Sequence, residues 1–185
     1  GSDGYRIKSA VKETLSILRR GNINPDIGTD IRMNAVESEP RYFTESLDVN
    51  QGKLSIGWRL GEIMAEPDIA ALRVFNAVFG GSVTSKLFMN VRERLSLCYY
   101  ASSVVDVHKG LLLVTSGIAF DQYEAAKAEI FAQLDAIKRG EITDGELDAA
   151  RRGVASDLRA AMDSAAELES YWISANVGGM DCAPD

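Results

Sequence analysis

The clearest pattern along the chain is an alternation of apolar and polar residues in "GKLSIGWRL", residues 52–60. Successive side chains of a strand point to opposite faces of its sheet, so this pattern predicts a strand with one buried face. Two further strands are predicted over "LCYYASSVV" and "GLLLVTSGIA", joined by "DVHKG" as a hairpin connection. A fourth strand is predicted over "RYFTESLDV", residues 41–49, and the turn "NQG" would join it to the first.

Helical spacing of apolar residues predicts helices over about 9–20, 67–79 and 83–95, and three more after residue 120. The clearest apolar stripes are Ala126, Ile130, Leu134 and Ile137, followed by Leu147, Ala150, Val154, Leu158 and Ala161. Asp121, Thr143 and Ser164 each precede a glutamate by three positions, which is the pattern of a capping box. Neighbouring strands and blocks of helices favour an α+β fold over a doubly wound α/β fold. We expect an antiparallel or mixed sheet with helices packed on one face.

Composition and charge narrow the class of protein. A length of 185 residues suits a single domain, 1–185, and the abrupt ending "GGMDCAPD" leads us to expect a piece of a longer chain. The net charge of −7 argues against a nucleic-acid partner, and no apolar run approaches the length of a membrane span. Cys98 and Cys182 are too few for a disulfide framework, so we expect a cytoplasmic protein.

Candidate catalytic groups are scarce. His108 is the only histidine, so a motif with two histidine ligands for zinc, such as H-x-x-E-H, does not occur in this chain. Its place between two predicted strands is typical of a solvated turn residue. Cys98 lies within a predicted strand without a neighbouring base, so we interpret it as a buried structural thiol. The residues therefore predict no metal site and no complete catalytic site.

Arg92 and Tyr99 form the one constellation with a chemical interpretation. Arg92 lies late in the predicted helix over 83–95, and Tyr99 follows seven positions later in a strand. A helix that folds back into a strand can leave both side chains at one edge of the sheet. The guanidinium suits a peptide carbonyl or a carboxylate, and a phenol can donate to an oxyanion. Two interpretations stay open: a peptide-binding site, or a solvated arginine beside a core or rim tyrosine.

The run "FNAVFGGSVTSKLFMNVRERLSLCYYASS" resembles the second half-domain of the insulinase/pitrilysin-type zinc peptidases, which include the mitochondrial processing peptidases. The family pattern is an apolar helix, glycines, a small-small-basic-Leu-Phe step, Val-Arg-Glu-basic and Gly-Leu-x-Tyr. The matching residues are Gly80, Gly81, Ser85, Lys86, Leu87, Phe88, Val91, Arg92, Glu93, Arg94, Leu97 and Tyr99. One position departs from the pattern, since Ser96 stands where the family usually has glycine.

The resemblance implies a two-layer, metal-free half-domain that faces a companion half-domain carrying H-x-x-E-H and zinc. The companion half-domain would belong to the same full-length chain or to a partner subunit, in a homodimer or a heterodimer. Arg92 and Tyr99 would contact the peptide substrate and its reacting carbonyl, while strand alternation would point Tyr100 to the opposite face. Zinc and other cofactors are not expected in this chain, and the isolated chain is expected to be inactive.

A second interpretation of the resemblance is a non-catalytic protein. "SLCYYASS" is similar to a bacterial branch of the family whose members often lack the zinc motif and accompany an active relative. The chain would then be a scaffold or a peptide-binding partner subunit of an active zinc peptidase. The sequence therefore leaves enzymatic activity of the whole protein open.

Overall fold

The computed structural model describes residues 3–19, 21–22, 39–60, 66–107 and 109–177. The chain divides into two compact units, Gly1–Ile31 and Arg32–Asp185. Across the described stretches, no helix is long and apolar enough to cross a membrane.

The first unit contains helix α1, Gly4–Ser16. The carboxylate of Asp3 accepts a hydrogen bond from the Tyr5 amide at 3.0 Å, which caps the helix at its start. Because of this cap, the helix begins before the predicted residue 9, and it ends before the predicted stop at Gly21. A helix in this region is confirmed, with both ends closer to the N-terminus.

The second unit is built on a three-stranded antiparallel sheet. Its strands are β1, Gly52–Arg59; β2, Cys98–Asp106; and β3, Leu111–Ile118. β3 is the central strand, and it pairs with both β1 and β2. Gly110 has a φ of 58° directly before β3, the left-handed conformation that glycine adopts freely in a tight connection. The predicted hairpin of β2 and β3 is therefore confirmed.

Residues 41–49 do not form the predicted fourth strand. Every residue of this segment is exposed, including Tyr42 and Phe43, and β1 pairs with β3 instead of with this neighbour in the chain. A strand needs a partner edge for its backbone groups, and an apolar-polar pattern alone does not supply one. The prediction of a hairpin closed by "NQG" was wrong for this reason.

Helices cover one face of the sheet. The helices of this unit are, in chain order, α2, Glu66–Phe79; a π-helix, Leu87–Arg94; a short 3₁₀ turn, Phe120–Gln122; α3, Tyr123–Lys138; α4, Asp144–Asp163; and α5, Ala165–Val177. The helices α2, α3 and the π-helix pack against the sheet, whereas α4 packs against α2 and α5. On β3, Leu112 and Val114 are buried, whereas Leu113 between them is exposed. The sheet therefore has one covered and one open face, and the predicted two-layer α+β fold is confirmed.

The hydrophobic core lies between the covered face and the helices. Its buried members are Leu54, Phe79, Leu87, Val91, Cys98, Ala101, Leu112, Val114, Ile118, Ala126, Ile130 and Leu134. The predicted stripe of α3 supplies the last three of these, and Ile137 packs against them. The predicted alternation of β1 is also confirmed, since Leu54 is buried between exposed Lys53 and Ser55.

The three predicted capping boxes have different outcomes. Thr143 and Glu146 form a complete box at the start of α4. The hydroxyl of Ser164 accepts from the Glu167 amide at 3.4 Å, which is one half of a box before α5. Asp121 does not cap α3, because a 3₁₀ turn intervenes and the N-cap is Gln122.

Candidate functional site

Hydrogen bonds at two adjacent glycines connect the end of α2 to β2. The amides of Gly80 and Gly81 both donate to the carbonyl of Asn76, at 3.0 and 2.7 Å. In turn, the Ser103 amide donates to the Gly80 carbonyl at 3.0 Å, and the Ser103 hydroxyl donates to Asn76 Oδ1 at 2.7 Å. A Cβ on Gly80 would lie 2.7 Å from the Ser103 nitrogen, so the backbones approach closely only because Gly80 has no side chain.

The helix that follows is a π-helix instead of the ordinary helix predicted over 83–95. Its hydrogen bonds span five residues, as in the bond of 3.2 Å that the Leu95 amide donates to the Asn90 carbonyl. Leu87 and Val91 are completely buried on the core side of this helix. Phe88 and Arg92, one position later in each case, are only partly buried.

The π-helix ends at a residue with an unusual backbone. Ser96 has a φ of 51°, in the left-handed region that favours glycine. Its amide donates to the Arg92 carbonyl, and the next amide, of Leu97, crosses over to the Val91 carbonyl, both at 3.0 Å. These crossed bonds resemble the glycine-containing C-cap of an α-helix, widened by one residue. The left-handed φ at this position is the physical reason why the family pattern usually has glycine here.

Tyr99 lies in a β-bulge at the start of β2. Cys98 pairs with Ile118 and Tyr100 pairs with Gly117, so Tyr99 is an extra residue without a partner on β3. The bulge interrupts the alternation that would have sent Tyr100 to the opposite face from Tyr99. Instead, both tyrosines are exposed and both border the same cavity.

An open cavity of about 390 Å³ lies where these three irregular elements meet. We call it the Arg92 cavity. It is lined by Gly80, Gly81, Ser82, Val83, Phe88, Arg92, Tyr99, Tyr100, Ala101 and Ser102. The structure thus brings Arg92 and Tyr99 to one cavity, and it adds the Gly80–Gly81 corner, Phe88 and Tyr100, to which the sequence assigned no role in a site.

Among the described residues that line the cavity, Arg92 is the only charged one. Its guanidinium carbon lies over the Phe88 ring, 4.7 Å from the ring centroid, and its Nη1 lies 3.2 Å from a carboxylate oxygen of Glu93. No side-chain hydrogen bond joins Arg92 to another described residue. The cavity therefore offers guanidinium and phenol donors beside apolar and aromatic surface.

Contacts outside the cavity hold the π-helix in place. Lys86 Nζ donates to Glu146 Oε1 of α4 at 2.8 Å, and both side chains are largely buried. Burial opposes the ionisation of Glu146, but the hydrogen bonds from Lys86 and Thr143 outweigh it and lower the pKa of the carboxyl. On the other side, Asn90 donates to Gln133 of α3 at 2.8 Å. Lys86 is thus joined to α4, and Asn90 to α3, although both helices lie far away in the chain.

Cys98 lies in the hydrophobic core and forms no disulfide. Burial raises the pKa of its thiol, and a hydrogen bond with Ser116 and the positive charge of Arg92 offset this only in part. The predicted burial of this thiol is confirmed. His108 and Cys182 lie outside the described residues.

A metal ion has no evident ligand set in the described part of the chain. There, no three His, Cys, Asp or Glu side chains lie close enough together to hold one. Among the described residues, those that line the Arg92 cavity include none of these side-chain types.

Comparison with known proteins agrees with this architecture. The family model described as "Peptidase M16 inactive domain" matches residues 6–154. Among curated proteins, the chain is 38% identical over 133 residues to the "Probable inactive metalloprotease YmfF" of Bacillus subtilis, covering 72% of the chain and 31% of that protein. It is 32% identical over 134 residues to the "Uncharacterized zinc protease YmxG" of the same organism, covering 68% and 32%. The chain thus spans about a third of the length of these relatives.

Solved structures are similar as well. A conserved protein from Enterococcus faecalis V583 is 31% identical, with a TM-score of 0.65 over 70% of this chain and 30% of that one. A protease from Helicobacter pylori has the same fold at 20% identity, with a TM-score of 0.78 over 96% of this chain and 44% of that one. The family match and these likenesses confirm the resemblance read from "GGSVTSKLFMNVRERLSLCYY". The chain belongs to the peptidase M16 inactive-domain family, an inactive domain of zinc-protease-like proteins.

Proposed function

We propose that the Arg92 cavity binds an extended segment of a peptide, as the metal-free half of a zinc-peptidase-like protein. The observation that carries this proposal is the meeting of Arg92 and Tyr99 at one cavity. Seven positions separate them in the chain, and the π-helix, the left-handed Ser96 and the bulge at Tyr99 all lie within that interval or border it. Irregular backbone of this kind is frequent at functional sites.

The chemistry of the lining supports a peptide backbone as ligand. An extended peptide presents carbonyl oxygens, which accept hydrogen bonds from a guanidinium and from a phenol. The Gly80–Gly81 corner contributes only backbone atoms to the lining. The remaining lining is apolar, aromatic or hydroxyl-bearing, without an acidic group that would repel a carboxylate or compete for Arg92 from inside the cavity.

We also propose a companion half-domain, because the chain spans only about a third of its curated relatives. The companion would lie in the same full-length chain or in a partner subunit, and it would supply the zinc that activates water for peptide hydrolysis. The part of this chain is to hold the peptide: Arg92 would fix the backbone through a carbonyl, and Tyr99 would donate to the reacting carbonyl oxygen.

Peptide affinity tests the proposal. The 185-residue chain is titrated with a panel of blocked, unstructured dodecapeptides carrying Ala, Leu, Phe or Lys at the centre. Arg92→Gln should weaken binding about tenfold or more, because hydrogen bonds to a charged group contribute about 1.5–3 kcal/mol. Tyr99→Phe should weaken it about two- to tenfold, through the loss of one neutral hydrogen bond.

Arg94→Gln is the matched control. Arg94 is on the same helix, but its guanidinium lies 3.5 Å from Glu129 of α3 and does not line the cavity. The control should bind like the wild type. Equal affinities for wild type, Arg92→Gln and Tyr99→Phe would contradict the proposal, as would absence of binding to every peptide of the panel.

A second candidate is a non-catalytic scaffold or peptide-binding partner. The relative that is 38% identical to this chain is named a probable inactive metalloprotease, which favours this candidate. The two candidates differ in the assembled protein. If the companion carries H-x-x-E-H, Arg92→Gln should lower peptide turnover without unfolding the assembly. If neither the companion nor a co-purifying partner carries the motif, peptide binding without turnover identifies the scaffold.

A further inference from the structure

We infer that Phe88 is the positioning residue for Arg92, holding its guanidinium in one orientation before a ligand arrives. This inference rests on the proposed function, since Arg92 is the group positioned for the peptide. Phe88 and Arg92 lie four positions apart on the π-helix and both line the cavity. Their separation of 4.7 Å, guanidinium carbon to ring centroid, lies well within the range of a cation–π contact.

Phe88 is not needed to fill the core. The π-helix contributes Leu87 and Val91 to the core cluster, and both side chains are completely buried. Phe88 belongs neither to that cluster nor to the partly buried residues packed against it. Its ring is instead shared between the cavity and Arg92. A partly exposed aromatic side chain in this place therefore calls for an explanation other than packing.

The geometry around Arg92 supplies that explanation. An arginine side chain has several rotatable bonds, and fixing it costs entropy that a ligand would otherwise have to offset. With 40% of its side chain exposed, Arg92 is not immobilised by burial. The Phe88 ring restrains one face of the guanidinium, and the Glu93 carboxylate lies near one edge, at Nη1. The remaining donors stay available to a carbonyl in the cavity.

A double-mutant cycle separates positioning from a direct apolar contact of Phe88 with the ligand. Phe88→Leu keeps an apolar side chain but removes the aromatic face. In the wild-type background it should weaken peptide binding about two- to fivefold, the range expected for an exposed cation–π contact. In an Arg92→Gln background, where no cation remains, the same substitution should have no further effect. Phe88→Tyr and Phe88→Trp retain an aromatic face, so these variants should bind the peptide with the affinity of the wild type.

A spectroscopic measurement tests the contact without any peptide. The side-chain N–H resonance of Arg92 should show an upfield ring-current shift in the wild type, which Phe88→Leu abolishes and Phe88→Trp preserves. Met89→Ala is the control, since Met89 is the next residue on the helix, is exposed, and does not line the cavity. It should leave both the resonance and the affinity unchanged.

These results distinguish failure of the inference from failure of the proposed function. An equal loss of affinity from Phe88→Leu in both backgrounds would overturn the inference, because Phe88 would then act without Arg92. If no peptide binds the wild type, the proposed function fails. The resonance then decides the inference: a ring-current shift lost in Phe88→Leu supports positioning by Phe88, and an Arg92 resonance unaffected by this substitution overturns it.

Discussion

The substitution Ser96→Gly is expected to stabilise the chain, because Ser96 has a backbone conformation that glycine adopts without steric cost. Its φ of 51° brings the Cβ close to backbone atoms, a crowding that the left-handed region imposes on every residue except glycine. The side chain is exposed, and its hydroxyl makes no hydrogen bond with a described residue. Removing it therefore relieves strain without losing a contact.

The size of the gain follows from two opposing terms. A residue with a Cβ in the left-handed region costs about 1–2 kcal/mol. Glycine offsets part of this gain in stability, because its greater conformational freedom in the unfolded chain disfavours folding by about 0.4–1 kcal/mol. The net increase in the free energy of unfolding should be about 0.5–1 kcal/mol, which raises the Tm of a domain of this size by about 1–4 °C.

Urea unfolding, followed by tryptophan fluorescence and far-ultraviolet circular dichroism, measures this difference. Ser96→Ala is the matched control: it removes the hydroxyl but keeps the Cβ, so it should be no more stable than the wild type. Loss of stability in Ser96→Gly would refute the reasoning. An equal gain in both variants would also refute it, because the gain would then come from the hydroxyl and not from the backbone.

Three further predictions concern the supports of the site and the metal. Gly80→Ala should lower the free energy of unfolding by about 1–3 kcal/mol, since the new methyl would lie 2.7 Å from the backbone nitrogen of Ser103. Glu146→Gln should lower it by about 1–2 kcal/mol at neutral pH, because the charged hydrogen bond with Lys86 is lost. The purified chain should contain no stoichiometric zinc by elemental analysis and should release no fragments from a peptide.

Each of these predictions has its own check. Gly153→Ala in α4 is the control for Gly80, since its new methyl would have no atom within 4 Å and should stabilise the helix by about 0.5–1 kcal/mol. Equal effects at both glycines would contradict the close approach at Gly80. Stoichiometric zinc, removed by a chelator together with peptide cleavage, would contradict the third prediction.

The contribution of Glu146 should depend on pH in one direction. Its pKa is lowered in the folded chain, so the stabilisation is fully present above the unfolded-state pKa of about 4.3. It is lost as the pH falls through the lower, folded pKa. The stability difference between the wild type and Glu146→Gln should therefore shrink in acid, and a difference that stays constant to strongly acidic pH would contradict this account.

The regular elements were predictable because burial imposes a simple period on them. β1 has one covered face, so Leu54 alternates with Lys53 and Ser55, and α3 turns Ile130 and Leu134 toward the sheet once per turn. Residues 41–49 show the limit of this reasoning. Their pattern suits a strand, but a strand also requires a partner edge, and pairing over long distances leaves no local signature.

The irregular elements around the cavity were not predictable from periodicity. A π-helix and a bulge each shift the register by one residue, and the burial of Leu87, Val91 and Cys98 by distant elements decides where that shift falls. Without the bulge, Tyr100 would face away from Tyr99. One sequence feature did indicate the left-handed turn: the resembling family usually has glycine at the position of Ser96. The φ of 51° at Ser96 gives the physical reason for that glycine.

The site was predictable only in part. Spacing alone left two interpretations of Arg92 and Tyr99 open, a peptide-binding site or a solvated arginine beside a core or rim tyrosine, and the resemblance favoured the first. The structure places both at one cavity, while their part in binding stays a prediction. Phe88 could have been noticed from its separation of four positions from Arg92, a spacing at which side chains on a helix meet.

Peptide binding mapped by NMR tests the central claim most directly. The ¹⁵N-labelled chain is titrated with the tightest-binding dodecapeptide of the panel, and amide shifts are followed residue by residue. The account predicts that the perturbed amides cluster at 80–83, at Phe88 and Arg92 on the π-helix, and at 99–102 on β2, the residues that line the cavity. Perturbations confined to α4 and α5, with the cavity amides unmoved, would contradict it.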